Sequence, residues 1–301
     1  MNKIRPLIFL AVLITLFSCE KEYSEENLSN GNELIVGADC RISKITYRDT
    51  SGMAAGGPGI GLGSIEAEIN RLDIVTRITQ YDSVSNTIVY RPEPIYSNDS
   101  VFINADEYFI VDVNKRITKS HLWVDITDPA SLQFDVFYVY NTGGYLIQKN
   151  YFLTTPPGTP FLRVDYTYTT GNLTRMTAVD LPGGDLNMDA DLTYNTNIVA
   201  RRFIYTFPDE ELYPAFTQFF NFGAKNFNAP KTMKVRNYDP GNVVRDSAVS
   251  AFSNYIMSRD GYVLSVQMGN PLPKATPPLT PSPQPSIPAL PGKLNFSYHC
   301  K

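Results

Sequence analysis

Apolar and polar side chains alternate along much of this chain, and that alternation limits it to β-structure. The segments 136–140 and 164–168 each place Val, Tyr and Tyr at every second position, and the two patterns begin 28 residues apart. A period of two puts successive side chains on opposite faces of a strand, whereas an amphipathic helix needs a period of about 3.6. The sequence therefore predicts an all-β protein.

A unit of strand, short turn and second strand recurs along the chain. Gly, Asn and Asp at the turns supply the positive φ angles that tight hairpins need. Hairpins joined in sequence order form an antiparallel meander, so we expect a large curled β-meander or a water-soluble, barrel-like sheet. The predicted units cover residues 111–119, 140–147, 168–175, 194–199 and 257–263.

Three stretches interrupt the alternation. Residues 209–222 place Leu and Phe side chains at helical spacing after Pro208, which predicts one short helix packed against the sheet. A Pro-rich stretch at 271–291 cannot join a sheet interior, and a Gly-rich stretch at 52–63 is typical of a loop. We interpret both as insertions in loops.

The N-terminus carries a predicted signal peptide, residues 1–18. Two cations, Lys3 and Arg5, precede an apolar run from 7 to 17, which is too short to cross about 30 Å of hydrocarbon. Residues 16–19 (LFSC) resemble the lipobox of bacterial lipoproteins, in which the cysteine is lipidated and becomes the first residue. This resemblance implies that Cys19 is the lipidation site and that the protein is attached to a membrane through its N-terminal lipid.

Residues 19–39 are interpreted as an acidic tether. From 20 to 39 the chain has six acids and one Lys, a net charge of −5, and so favours a solvated segment. An acidic stretch directly after a lipidated cysteine resembles the export signal of Bacteroidota surface lipoproteins. This resemblance implies that the protein is attached to the outer membrane and faces the cell surface. The alternatives are that the stretch is a plain acidic linker and that the protein faces the periplasm. Residues 40–301 form the predicted β-meander domain.

The two other cysteines stand at the ends of that domain. Cys40 and Cys300 in an exported chain favour a disulfide. The competing interpretation is a metal site formed by Cys40, His299 and Cys300, which lacks a fourth His or Cys for a tetrahedral shell. We therefore predict the disulfide and no metal.

Composition and motifs argue against several function classes. There are 26 basic and 30 acidic side chains, a net charge of −4, so no basic surplus exists for nucleic acid. The sequence contains no G-x-S-x-G, H-E-x-x-H, C-x-x-C or P-loop motif. Acidic residues at 185–191 imitate the start of an EF-hand loop, but Ala190 and Thr196 occupy the positions that need Gly and Glu, which favours a strand with a polar face. We expect no cofactor and no enzymatic activity.

Together, the hairpins and two further segments resemble a known family. The first segment, 222–231 (FGAKNFNAPK), is similar to the family's Gly/Asn/Pro-Lys connector. The second, 294–300 (LNFSYHC), is similar to the family's closing strand. The family consists of Bacteroidota lipoproteins of unknown function, built from degenerate tyrosine-aspartate (YD, RHS-like) hairpins and described as porin-like in fold. The resemblance extends over about residues 40–301 and carries no known active site.

The tyrosine rows are the feature best suited to recognition. If strands 136–140 and 164–168 were adjacent, Tyr138 and Tyr140 would be cross-strand neighbours of Tyr166 and Tyr168. A glycan or a surface protein could stack on such a row, although the same side chains could simply cover a half-buried sheet. The leading hypothesis is a lipid-anchored, non-enzymatic structural or binding protein, and the alternative is a lipid-anchored hydrolase acting on extracellular polymers.

Three Asp-Ser pairs followed by a small apolar residue resemble the O-glycosylation site of exported Bacteroidota proteins. They place candidate attachment points at Ser83, Ser100 and Ser247. All three adjoin predicted turns, where a bulky group does not enter the core. The alternative is turn chemistry, because Asp and Ser also nucleate turns.

Overall fold

Antiparallel strands make up almost the whole of the ordered architecture in this computed structural model. The structure describes residues 39–49, 62–82, 87–123, 132–208, 218–269 and 292–301. The strands are β1 (Cys40–Asp49), β2 (Leu62–Ile69), β3 (Val75–Asp82), β4 (Ile88–Tyr90), β5 (Ile95–Ser97), β6 (Ser100–Phe102), β7 (Tyr108–Val111), β8 (Ile117–Trp123), β9 (Gln133–Tyr140), β10 (Leu146–Leu153), β11 (Thr159–Thr169), β12 (Asn172–Asp180), β13 (Leu186–Val199), β14 (Asn228–Asp239), β15 (Val243–Met257), β16 (Val263–Gly269) and β17 (Gly292–Cys300).

The strands form a nearly closed, barrel-like ring. From β5 to β17 each strand pairs with the next, β1 to β4 do the same, and β1 pairs with β17. β4 and β5 lie end to end in the segment 88–97, where β4 pairs with β3 and β5 pairs with β6. Pro92 and Pro94 remove two ladder donors from this segment. The prediction of an all-β, barrel-like meander is confirmed.

Strand direction divides the connections between two ends of the barrel. β1 begins at Cys40 and β17 ends at Cys300, and these residues pair directly. We call this the terminal end. Because successive strands are antiparallel, every second connection returns to it, including the segment between β13 and β14. The strands that flank the Gly-rich and Pro-rich stretches leave the sheet at the opposite end, and those stretches lie almost entirely outside the described residues.

One five-residue hairpin loop occurs four times at the terminal end. In each copy the N–H of the first residue donates to the carbonyl of the fifth, and the fourth residue has a positive φ. The side chain of the first residue accepts a hydrogen bond from the backbone N–H of the fifth. Polar turn residues therefore determine where these strands end. The four loops are 70–74, 112–116, 141–145 and 258–262.

Four of the five predicted hairpins are present, and the one at 194–199 is wrong. There β13 continues without a turn, although its pairing with β14 jumps from Asn195 to Val199. The polar residues 195–197 thus form an irregularity inside a long strand. The sequence alone did not distinguish this bulge from a turn because both use Asn and Thr.

Residues 200–208 and 218–227, here called the plug, enter the barrel from the terminal end. Phe203 contacts Phe296 of β17, with ring centroids 5.0 Å apart, and Phe207 contacts Tyr166 of β11 at 5.2 Å. Phe222 contacts the ring of Tyr138 on β9 at 5.4 Å. Strands on different sides of the ring therefore share one core that the plug fills. The fully or nearly buried plug residues include Ala200, Phe203, Ile204, Tyr205, Phe207, Phe219 and Phe222.

Hydrogen bonds attach the plug to the hairpin loops around it. The N–H of Ala224 donates to the carbonyl of Gly144 at 2.8 Å, and the N–H of Phe227 donates to that of Gly171 at 3.0 Å. The buried Gln218 side chain accepts from the N–H of Tyr205 and donates to its carbonyl. Because its buried polar groups have partners, the plug can occupy an apolar interior.

The short helix predicted for 209–222 was expected to pack against the sheet. Residues 209–217 lie outside the described residues, Gln218 and Phe219 belong to a 3₁₀ turn, and the chain to 222 is not helical. Phe219 and Phe222 instead belong to the plug. Among the described residues, no helix is long and apolar enough to cross a membrane.

Candidate functional site

A row of aromatic and charged side chains crosses the outer face of β6 to β10. Strand register places Phe102 opposite Tyr108, Tyr108 opposite His121, and His121 opposite Asp135. Asp135 is in turn opposite Phe152. Lys119 and Phe137 pair two residues further along β8 and β9, on the same face. We call these seven residues the outer row.

The rings of the outer row contact one another across the strands. Tyr108 stacks on His121 with centroids 5.4 Å apart, and Phe102 lies 5.8 Å from Tyr108. Phe137 and Phe152 meet edge to face at 5.6 Å. Phe137 is 41% exposed and Phe102 is 36% exposed, so the row keeps apolar surface open to solvent. Such an exposed aromatic surface is typical of a binding site.

A small charge network fixes the middle of the row. Asp135 accepts a hydrogen bond from Lys119 at 2.8 Å and shares one with Nδ1 of His121 at 3.0 Å. Partial burial raises the pKa of Asp135, but the hydrogen bonds and charges of Lys119 and His121 outweigh it, so the net pKa is lowered. The Lys119 ammonium also lies 5.4 Å from the centre of the Phe137 ring. The arrangement offers apolar rings and polar groups side by side.

The tyrosines predicted as a stacking surface lie on the inner face instead. Tyr138 is 8% exposed and Tyr166 is 5% exposed. The prediction that they are cross-strand neighbours is wrong, because β10 lies between β9 and β11. Tyr140 donates its hydroxyl to the carbonyl of Ile117, and Tyr168 contacts the ring of Tyr145. Phe222 and Phe207 of the plug already contact the rings of Tyr138 and Tyr166.

Lys149 is a buried residue that the sequence analysis missed. It is fully buried on β10, with its ammonium 5.0 Å from the centre of the Phe207 ring and 5.6 Å from that of Tyr166. Aromatic faces attract a cation in such a position. Alternation along β10 could have placed Lys149 on the inner face, since Tyr151, two residues further, also points inward.

The acidic residues at 185–191 lie on and before β13, as expected for a strand with a polar face. Asp189 accepts two hydrogen bonds from Arg236, at 2.6 and 2.7 Å, and Asp191 accepts one at 2.7 Å. These hydrogen bonds from the guanidinium to Asp189, then Asp191, raise the pKa of Arg236. Arginine therefore occupies the carboxylates that could have bound a cation. Within the described residues, no group of three His, Cys, Asp or Glu side chains is placed to hold a metal.

The predicted disulfide joins Cys40 and Cys300 and is confirmed. Cys19 and Ser83 lie outside the described residues. Ser100 begins β6 beside the turn at 98–99, as predicted. Ser247 is exposed but lies within β15, so the prediction that it adjoins a turn is wrong. Both remain predictions as glycosylation sites.

Comparison with known proteins identifies a similar fold. No protein-family model matches the chain, and no curated protein matches it. A porin-like protein from Bacteroides uniformis ATCC 8492 is similar in structure, with a TM-score of 0.56 and 12% sequence identity over 86% of this chain and 98% of that one. A porin-like protein from Bacteroides vulgatus ATCC 8482 has a TM-score of 0.49 and 12% identity over 87% of this chain and 99% of that one. The first likeness shows a shared barrel fold.

Proposed function

We propose that this protein is a non-enzymatic binding protein of the bacterial cell envelope, anchored by a lipid on Cys19, whose outer row binds a glycan. The observation that carries the proposal is the set of exposed rings on β6 to β10 with hydrogen-bonding groups between them. Sugars present apolar C–H faces next to hydroxyl groups, and the row presents both complements. His121 and Lys119 both hydrogen-bond Asp135, which holds these polar groups beside the rings.

The ion pairs on the outer face of the sheet favour a barrel that is surrounded by water and not by lipid. Ion pairs link neighbouring strands there, such as Lys44 with Glu66 at 2.8 Å and Arg77 with Glu68 at 2.9 Å. A Lys or Arg on a lipid-facing strand costs about 2–4 kcal/mol at the bilayer midplane. The plug argues separately against a role as a channel, because its buried aromatic side chains oppose passage of solutes through the terminal end.

Replacing Phe137 and Tyr108 together with alanine is expected to weaken glycan binding at least tenfold, because the row loses both its most exposed ring and its central ring. Binding is measured on arrays of defined bacterial envelope oligosaccharides and, in parallel, of extended peptides. Phe227→Ala is the matched control, since Phe227 is 56% exposed outside the row. Equal glycan binding by both variants, or binding to peptides alone, would contradict the proposal.

The lipid anchor has its own test. Cys19→Ala is expected to release the protein from membranes, because the acyl chains supply about 0.8 kcal/mol per buried CH₂ and the outer face of the barrel carries ion pairs that oppose insertion into lipid. Cell fractionation with detergent-free washing measures this. Retention of the variant in the membrane fraction would exclude lipid anchoring through Cys19.

A further inference from the structure

Three cations converge at the terminal end of the barrel, away from the outer row. Arg41 comes from β1, whereas Arg202 and Lys225 come from the two halves of the plug. Arg41 donates to the carbonyls of Asp73 and Phe219, which fixes it against the plug. The ammonium of Lys225 donates to the carbonyl of Arg202 at 3.4 Å and lies 4.8 Å from the centre of the Tyr205 ring. The cluster is thus assembled by the same contacts that seat the plug.

Nearby acids neutralise only part of this charge. Asp73 lies 3.4 Å from Arg41 and 3.2 Å from Lys301, and Asp39 accepts from Arg202 at 2.6 Å. Among the described residues, Lys225 forms no ion pair. Asp73 and Asp39 thus pair with Arg41, Lys301 and Arg202, and none of these ion pairs includes Lys225. A phosphate group, which is anionic near neutral pH, could supply the partner that Lys225 lacks among the described residues.

The electrostatics of Lys225 agree with an anion site. Burial, together with the positive charges of Arg41 and Arg202, lowers the pKa of Lys225 to about 7. A bound anion would compensate both effects and return the amine to its charged form. Tyr205 stays neutral in this range because burial raises its pKa.

We propose that Arg41, Arg202 and Lys225 form a binding site for a phosphate group. Arg41 and Arg202 contribute positive charge and the N–H donors that their carbonyl and carboxylate partners leave over, and the ammonium of Lys225 adds a point charge. Arg202 is 54% exposed, so a ligand can reach the cluster from solvent. The phosphate can belong to a lipid headgroup or to a soluble compound. The inference does not rest on glycan binding by the outer row.

The first test is anion binding to the full chain by calorimetry, with phosphate and sulfate titrated at constant ionic strength against chloride. Sulfate affinity is expected to fall at least tenfold between pH 6 and pH 9, because Lys225 loses its proton while both arginines stay charged. Lys225→Met should remove this pH dependence and weaken binding at least tenfold. Lys231→Met, at an exposed position on β14, is the matched control.

The second test identifies the source of the phosphate. Vesicles of phosphatidylcholine with and without phosphatidic acid are floated with the wild-type chain and with Lys225→Met. Phosphatidic acid binding that depends on Lys225 assigns the site to a lipid headgroup, whereas binding of free phosphate alone assigns it to a soluble compound. The proposal is overturned if Lys225→Met binds both anions like the wild type, or if the wild type prefers neither anion to chloride.

The variant is expected to fold. Lys225→Met keeps an unbranched apolar chain beside the Tyr205 ring and loses only the charged end, so its Tm should stay close to that of the wild type at neutral pH. Competitive acetylation of Lys225, followed by mass spectrometry, provides an independent readout in the unmodified chain. Phosphate should protect the amine at least threefold at pH 8, and unchanged labelling would contradict the site.

Discussion

Replacing Cys40 and Cys300 together with alanine is expected to lower the free energy of unfolding by about 5 kcal/mol and the Tm by roughly 10–20 °C. The disulfide closes a loop with a sequence separation of 260 residues, and in the entropy model long loops give the largest stabilisation. It also joins the first and last strands, whose pairing closes the ring. The loss should therefore affect the whole barrel.

Thermal unfolding of the oxidised protein and the double variant measures this effect. Ser297→Ala is the control, because Ser297 lies on the same strand pair opposite Lys44 and its substitution should stay within about 0.5 kcal/mol. Thiol labelling of the unfolded, unreduced protein should detect neither Cys40 nor Cys300. A change in Tm of under about 2 °C would show that strand pairing alone closes the ring.

Gly223→Ala is expected to destabilise the protein by about 2–5 kcal/mol, combining left-handed backbone strain with overpacking. Gly223 has a φ of +91°, and a Cβ there would collide with the carbonyl oxygen of Gly144 and approach Cε1 of Tyr140 to 2.7 Å. The neighbouring hydrogen bond from Ala224 to Gly144 leaves the plug little freedom to move away. The substitution should therefore push the plug from its hairpin loop.

Gly241→Ala separates the two contributions. Gly241 has a φ of +82°, but nothing lies within 4 Å of a Cβ built there. Its replacement should cost only the backbone strain, about 1–2 kcal/mol. Urea unfolding of both variants gives the comparison. Equal losses would show that the contact between Gly223 and Gly144 does not hold the plug in place.

The outer row illustrates how far the sequence reaches toward a binding site. Alternation places Tyr108 with Ile110, and Lys119 with His121, on common faces of their strands. It does not reveal that Tyr108 stacks on His121, because that contact depends on the register between β7 and β8. The same limit applies to the tyrosine rows. The tyrosines of each row share one face of their strand, as predicted, but β10 separates the two strands and both rows face the plug.

The sequence by itself determined the strand pattern, most hairpin turns and the cysteine pair, because each depends on local backbone preferences or on residue type. These features can be recognised in the sequence without knowing any tertiary contact: a period of two, an Asn or Gly at a turn, and a Cys at each end of a domain. Only the tertiary structure decided which face of each strand lies inside, that the ring closes, and that the plug enters it. These depend on contacts between distant segments, such as Phe203 with Phe296 and Arg41 with Phe219. Local propensity carries no information about such pairs, since their energy exists only once the ring has formed.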